Sequence, residues 1–216
     1  MQVLDEQGLS PYRTFDSIGR FADMLMRYRG DAFTPRITTY QATEQTRVIL
    51  IEPPCGSNTA ILQNGEDALF VDTGYACYQE EMLSIFRKLL PRFDTMPKHA
   101  LITHADVDHC GLLPLFDTVD TSAKSAECLR LEAVGEDGYR EQNPLHRPYI
   151  KICKALTGYR PPEPARVHVV AGDLAPQQEP LRHVGVYAFG ELRFEVYEGK
   201  GGHLPGELVL IDYAHR

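Results

Sequence analysis

No two cysteines of this chain lie at C-x-x-C spacing, and the five present, Cys55, Cys77, Cys110, Cys128 and Cys153, are odd in number and widely scattered. That excludes a zinc ribbon and a disulfide framework, and leaves most of them as buried thiols. Cys110 is set apart because it directly follows a cluster of metal-binding residue types, although packing into the core is its expected role. Long apolar runs are also missing. The longest are strand-sized, and Met1 is followed quickly by Asp5 and Glu6, with no signal-peptide pattern. Neither membrane insertion nor export is therefore expected, and a cytoplasmic location is. Positive charge is short as well: 22 Lys and Arg stand against 30 Asp and Glu, a net charge of -8, with no basic stripe. A nucleic-acid partner is not expected; a small-molecule substrate is. What remains, 216 residues at 43% hydrophobic and 24% charged, is ordinary for one globular α/β domain with decorations.

Phe15, Ile18, Ala22, Leu25 and Met26 recur at helical spacing and predict an amphipathic helix ending near Gly30, within an N-terminal helical extension over 1–40. Strand-like patterns follow over Arg47 to Ile51, Asn58 to Gln63 and Ala68 to Val71. Asn64-Gly65 between the last two is a two-residue hairpin signal. Met82, Ile85, Phe86, Leu89 and Leu90 mark a helix, and Ala100, Leu101 and Ile102 a short strand covered on both faces. Residues 125–164 read as a mostly helical insertion, a lid or the contact of a homodimer, with Tyr139, His146, Tyr149 and Tyr159 as candidate substrate contacts. Strands return over Val167 to Val170, Val186 to Phe189 and Leu192 to Val196.

The chemistry is concentrated directly after Ile102, where His104, Asp106, Asp108 and His109 fall within six residues. Imidazole and carboxylate together bind divalent metals of intermediate hardness, and four such groups on one loop would repel or desolvate one another without a cation. Open α/β sheets also place ligands beyond the carboxyl ends of strands. A short helix is expected over Leu112 to Phe116, with Asp108 and Gly111 in its first turn and Gly111 letting the backbone pass close to a metal.

The stretch His104-x-Asp106-x-Asp108-His109-x-Gly111 resembles the metal loop of the metallo-β-lactamase superfamily, whose usual form is H-x-H-x-D-H. Leu69 to Gly74, ending in Asp72-Thr73-Gly74, and Gly202-His203-Leu204-Pro205-Gly206 resemble two further family segments in the right order. The resemblance implies an αββα sandwich over 41–216. It also implies metal ligation by His104, Asp106, Asp108, His109 and His203, with Asp72 beneath the metals as support. Asp106 departs from the usual histidine; it makes the site harder and resembles the flavodiiron branch, where a glutamate stands there. The last part of the second half of the sandwich is expected to be missing. Asp212 then lies at a hairpin; the alternative is a compact member in which Asp212 bridges two metals.

The function implied is a metal-dependent hydrolase with two divalent ions, zinc first and iron or manganese as alternatives. A metal-activated hydroxide would attack an ester, thioester, lactone or phosphodiester, with Asp108 as the catalytic residue that orients the nucleophile and passes a proton. The rival is an iron-dependent oxidoreductase of flavodiiron type, and a third reading is a non-catalytic binding module.

Overall fold

A computed structural model describes residues 5, 6, 8 and 10–215. Helix α1 (Pro11–Arg27) starts at Ser10, whose side chain accepts from Arg13 N, and carries Pro11 where its missing N–H costs nothing. Strands β1 (Arg36–Gln41), β2 (Thr46–Glu52), β3 (Thr59–Asn64) and β4 (Asp67–Val71) form an antiparallel meander. The stretch ahead of residue 41 is thus not helical throughout, because Arg36–Gln41 supplies an edge strand. Helix α2 (Gln79–Leu89) crosses to β5 (His99–Leu101), which pairs in parallel with β4 and with β6 (Thr118–Ser122). Helix α3 (Ala123–Ala133), α4 (Arg147–Thr157) and β7 (Val167–Ala171) follow, and β7 is the far edge of the seven-stranded sheet. Strands β8 (Leu181–Phe189), β9 (Leu192–Gly199) and β10 (Leu208–Ile211) make a second, antiparallel sheet.

Successive side chains of the central strands bury into different cores, as the two-residue period of a strand requires. Ile61, Phe70 and Ala100 face the helices, where Phe70 meets Phe86, Phe93 and Phe116 edge-on. Their neighbours Leu62, Leu69 and Leu101 face the second sheet and pack with Leu192, Tyr187, Phe189 and Phe194. Helix, sheet and sheet are therefore layered as in the metallo-β-lactamase-type fold. Two expectations need correction. The stretch after the metal loop is a single 3-10 turn (Leu113–Leu115), because β6 begins at Thr118 and leaves too few residues for a longer helix. The expected insertion also starts too early at 125: α3 packs its Ala126 and Leu129 into the main core and belongs to the scaffold.

A polar tie joins the two sheets below the site. Asp120 of β6 accepts from Tyr187 of β8 at 2.8 Å and lies 2.7 Å from His99 Nε2. Burial raises the Asp120 carboxyl, but the bonds from His99 and Tyr187 outweigh it and hold it below its ordinary 3.8. Because the folded value is depressed, this stabilisation is present above pH 3.8 and lost as pH falls through the lower folded value. Tyr187→Phe should cost about 1–2 kcal/mol in a denaturant melt at neutral pH and leave metal content unchanged.

Candidate metal centre

The ends of β4 and β5 and the loop between β9 and β10 converge at the carboxyl edge of the parallel sheet. At the end of β4 the chain turns at Asp72, which takes φ 58°, a conformation that aspartate tolerates better than most residues. The turn puts its carboxylate under the loop that follows β5. Asp72 Oδ1 accepts from Thr103 N at 2.8 Å, and Oδ2 from the Thr103 hydroxyl at 2.7 Å and from His109 Nδ1 at 2.8 Å. These bonds decide two tautomers. The single Thr103 hydroxyl proton goes to Asp72, so at 3.0 Å from His104 Nδ1 that oxygen acts as acceptor and His104 carries its proton on Nδ1. Both rings in their neutral form are left with Nε2 unprotonated, as metal ligation requires.

The loop is also stitched to its neighbours through backbone. Thr73 N donates to His109 O and Gly111 N to Gly74 O, each at 2.8 Å. Gly111 is needed here, but not for approach to a metal: a Cβ at this position would lie 2.2 Å from Ala76 N and 2.3 Å from Gly74 O. The last segment is seated the same way. Gly206, at φ 84°, presses on the start of α3, where a Cβ would meet Ser122 Oγ at 2.7 Å and Lys124 Cβ at 2.8 Å. Leu208 N then donates to Thr103 O, which brings His203 over the β5 loop.

The five expected ligands share one patch, in two groups. One ligand atom from each of His104, Asp106 and His203 lies within 4.8 Å of the others, and among the described residues no other trio of such side chains is assembled. His104 and Asp106 are buried, while His203 is about half exposed. His104 Nε2 is a buried nitrogen with no hydrogen-bond partner, which costs free energy unless something fills the position. The donor set and this orphaned atom fit a divalent cation. Asp108 and His109 stand alongside: Asp108 Oδ2 is 3.5 Å from His109 Nε2, and the His104 and His109 rings are 4.0 Å apart.

Titration follows from these surroundings. Burial and the neighbouring His109 hold His104 below its ordinary value, keeping it a neutral ligand. Burial pushes Asp108 up. Burial lowers His109, but the hydrogen bond and charge of Asp72 outweigh it and the net shift is upward. Other candidates fall elsewhere. Cys110 is fully buried, packs into the main core and points its thiol at His104 O. Asp212 accepts from Ala214 N, His215 N and His215 Nδ1, and is not in the trio, as a turn residue would be. Tyr159 bonds Glu132 at 2.7 Å and is structural, whereas Tyr139 is half-buried, and His146 and Tyr149 are exposed.

One contact at the candidate site was not legible in the motifs. Arg140, between α3 and α4, donates from Nη1 to Asp106 Oδ2 at 2.6 Å, the same oxygen that His203 Nε2 reaches at 3.1 Å. An extra carboxylate on the metal loop is the signal that would have prompted a search for such a partner.

A family model described as the metallo-beta-lactamase superfamily matches residues 53–206. The chain belongs to that superfamily. Among solved structures, the Rm3 metallo-beta-lactamase aligns at TM-score 0.52 and 19% identity, over 79% of this chain and 54% of that one. The metallo-beta-lactamase MIM-1 from Novosphingobium pentaromativorans aligns at 0.52 and 18%, over 87% and 61%. A flavo-di-iron protein from Thermotoga maritima aligns at 0.49 and 13%, over 83% and 40%. At these identities the likeness is one of fold, and the chain spans between about two fifths and three fifths of the length of these structures. No curated protein gives a match. Among the described residues, no helix is long and apolar enough to cross a membrane.

Proposed function

We propose that this protein is a metal-dependent hydrolase acting on an ester, thioester, lactone or phosphodiester bond of a small molecule. The observation that carries the reading is the buried, unpartnered Nε2 of His104 facing Asp106 and His203. In this proposal His104, Asp106 and His203 hold one divalent ion, zinc, and Asp108 and His109 contribute to a second. Divalent ions held there would polarise the substrate oxygen and acidify water.

The chain's own residues supply the rest. Asp72 holds both histidine rings in the ligating tautomer and orientation. Asp108, raised by burial, is suited to accept a hydrogen bond from the attacking water at its carboxylate and to retain the proton for the leaving group. The exposed edge of His203 marks the side from which substrate would enter.

The test is elemental analysis of protein purified without chelator, paired with a hydrolysis screen over the four bond classes. Zinc in the parent and its loss in His203→Ala, together with a rate on one bond class that falls at least about a hundredfold in Asp108→Asn, is the expected result. Iron without zinc, or zinc retained in full by His203→Ala, would count against it.

A further inference from the structure

The trio of candidate ligands contains a carboxylate between two imidazoles, and that carboxylate does not face the site alone. Asp106 is buried; its Oδ1 accepts from Val107 N at 2.8 Å and its Oδ2 accepts the Arg140 guanidinium at 2.6 Å. Arg140 is about 30% exposed and comes from the linker between α3 and α4, not from the sheet edge that carries the other ligands. The linker is itself anchored. Glu141 accepts from Gly138 N and from Lys154 of α4, and Lys154 also bridges to Glu132 of α3, so the residue next to Arg140 is held by a buried ionic network. Arg140 is thus delivered to Asp106 by built structure.

We propose that Arg140 is a positioning residue whose charge cancels that of Asp106, so that the trio His104, Asp106 and His203 behaves toward a metal as a neutral, softer ligand set. The inference rests on the metal-centre reading above. Two neutral imidazoles and a bare carboxylate carry one negative charge, which narrows the margin of zinc over harder ions such as manganese; the same set with a paired guanidinium carries none and widens that margin again. A carboxylate oxygen has lone pairs for both a metal and an arginine, so the pair need not break when an ion binds. The guanidinium also fixes which way the carboxylate points, the usual task of a group behind a metal ligand.

The test is a double-mutant cycle read by metal binding and not by turnover. The full chain is stripped of metal and titrated with zinc and with manganese against a chromophoric chelator, for the parent, Arg140→Ala, Arg140→Lys, Asp106→His and the double variant Asp106→His with Arg140→Ala. The expected result is a zinc-over-manganese affinity ratio about tenfold lower in Arg140→Ala, at the lower end of what partners behind a ligand are worth. Arg140→Lys, which keeps the charge, should recover most of the ratio and also serves if the alanine variant folds poorly. In the Asp106→His background, where there is no carboxylate to compensate, Arg140→Ala should not lower the ratio. An unchanged ratio in Arg140→Ala, an equal fall in both backgrounds, or equal tightening of both ions would overturn the inference, the last by making Arg140 a mere competitor for Asp106. A parent that binds neither ion would overturn the metal-centre reading itself, which is a separate outcome.

Discussion

Replacing His104 with alanine should abolish retention of the divalent ion that the trio holds and, with it, the protection against unfolding that this ion gives. In the parent, zinc supplied at about a hundred times its dissociation constant should stabilise the fold by roughly 2.7 kcal/mol, because an ion that binds only the folded state adds its binding free energy to folding. For a chain of this size that is a rise in melting temperature of roughly 5–10 °C. The alanine variant should show none of it. In metal-free protein the balance is closer, since the substitution leaves a cavity but also removes the buried, unpartnered Nε2. Melting curves of parent and variant, each with chelator and with zinc, separate the two contributions. A zinc-dependent rise of similar size in His104→Ala would mean that the ion sits elsewhere.

Much of the candidate site was legible because its residues are local in sequence. His104, Asp106, Asp108 and His109 sit on one loop, and the apolar strand before them fixes where that loop emerges. His203 lies 97 residues from Asp106 and was still readable, because the glycines and proline around it form a segment with its own signature. The strand-like patterns over Asn58 to Gln63 and Ala68 to Val71 foretold strands but not that Ile61 and Phe70 enter one core and Leu62 and Leu69 another; that depends on which sheet folds over which. Two features escaped for physical reasons. Arg140 lies in a polar linker without periodicity, so nothing in its neighbourhood marks it as a partner of Asp106. Gly111 was correctly singled out but given the wrong neighbour, since the backbone it admits, Gly74 to Ala76, is distant in sequence. Asp72 was placed as support beneath the site, and the structure adds how: one carboxylate oriented by a left-handed turn takes three donors.

That concentration of roles makes Asp72 the position where one substitution should do most damage. Asp72→Ala strips acceptors from His109 Nδ1, Thr103 N and the Thr103 hydroxyl at once, and breaking a buried charged pair of this kind typically costs about 3–5 kcal/mol. Alanine is also less tolerant than aspartate of φ 58°, which adds to the loss. Asp72→Asn keeps the shape and the turn but not the charge, and should be milder, about 1–3 kcal/mol, while still weakening metal binding by about 10–100-fold because the histidines lose their fixed tautomer. The milder variant carries a pH signature that a merely structural role would lack. His109 is raised above its ordinary 6.5 by Asp72, against the lowering effect of burial. In metal-free protein the stabilisation from this pair is therefore fully present below the unfolded value and is lost as pH rises through the higher folded one. Removing the Asp72 charge removes that gain, so the stability gap between parent and Asp72→Asn should be wider at about pH 5.5 than at about pH 8.5 in chelator-treated samples. A gap that stays constant across that range would show that Asp72 supports the loop by hydrogen bonding alone and leaves the charge of His109 untouched.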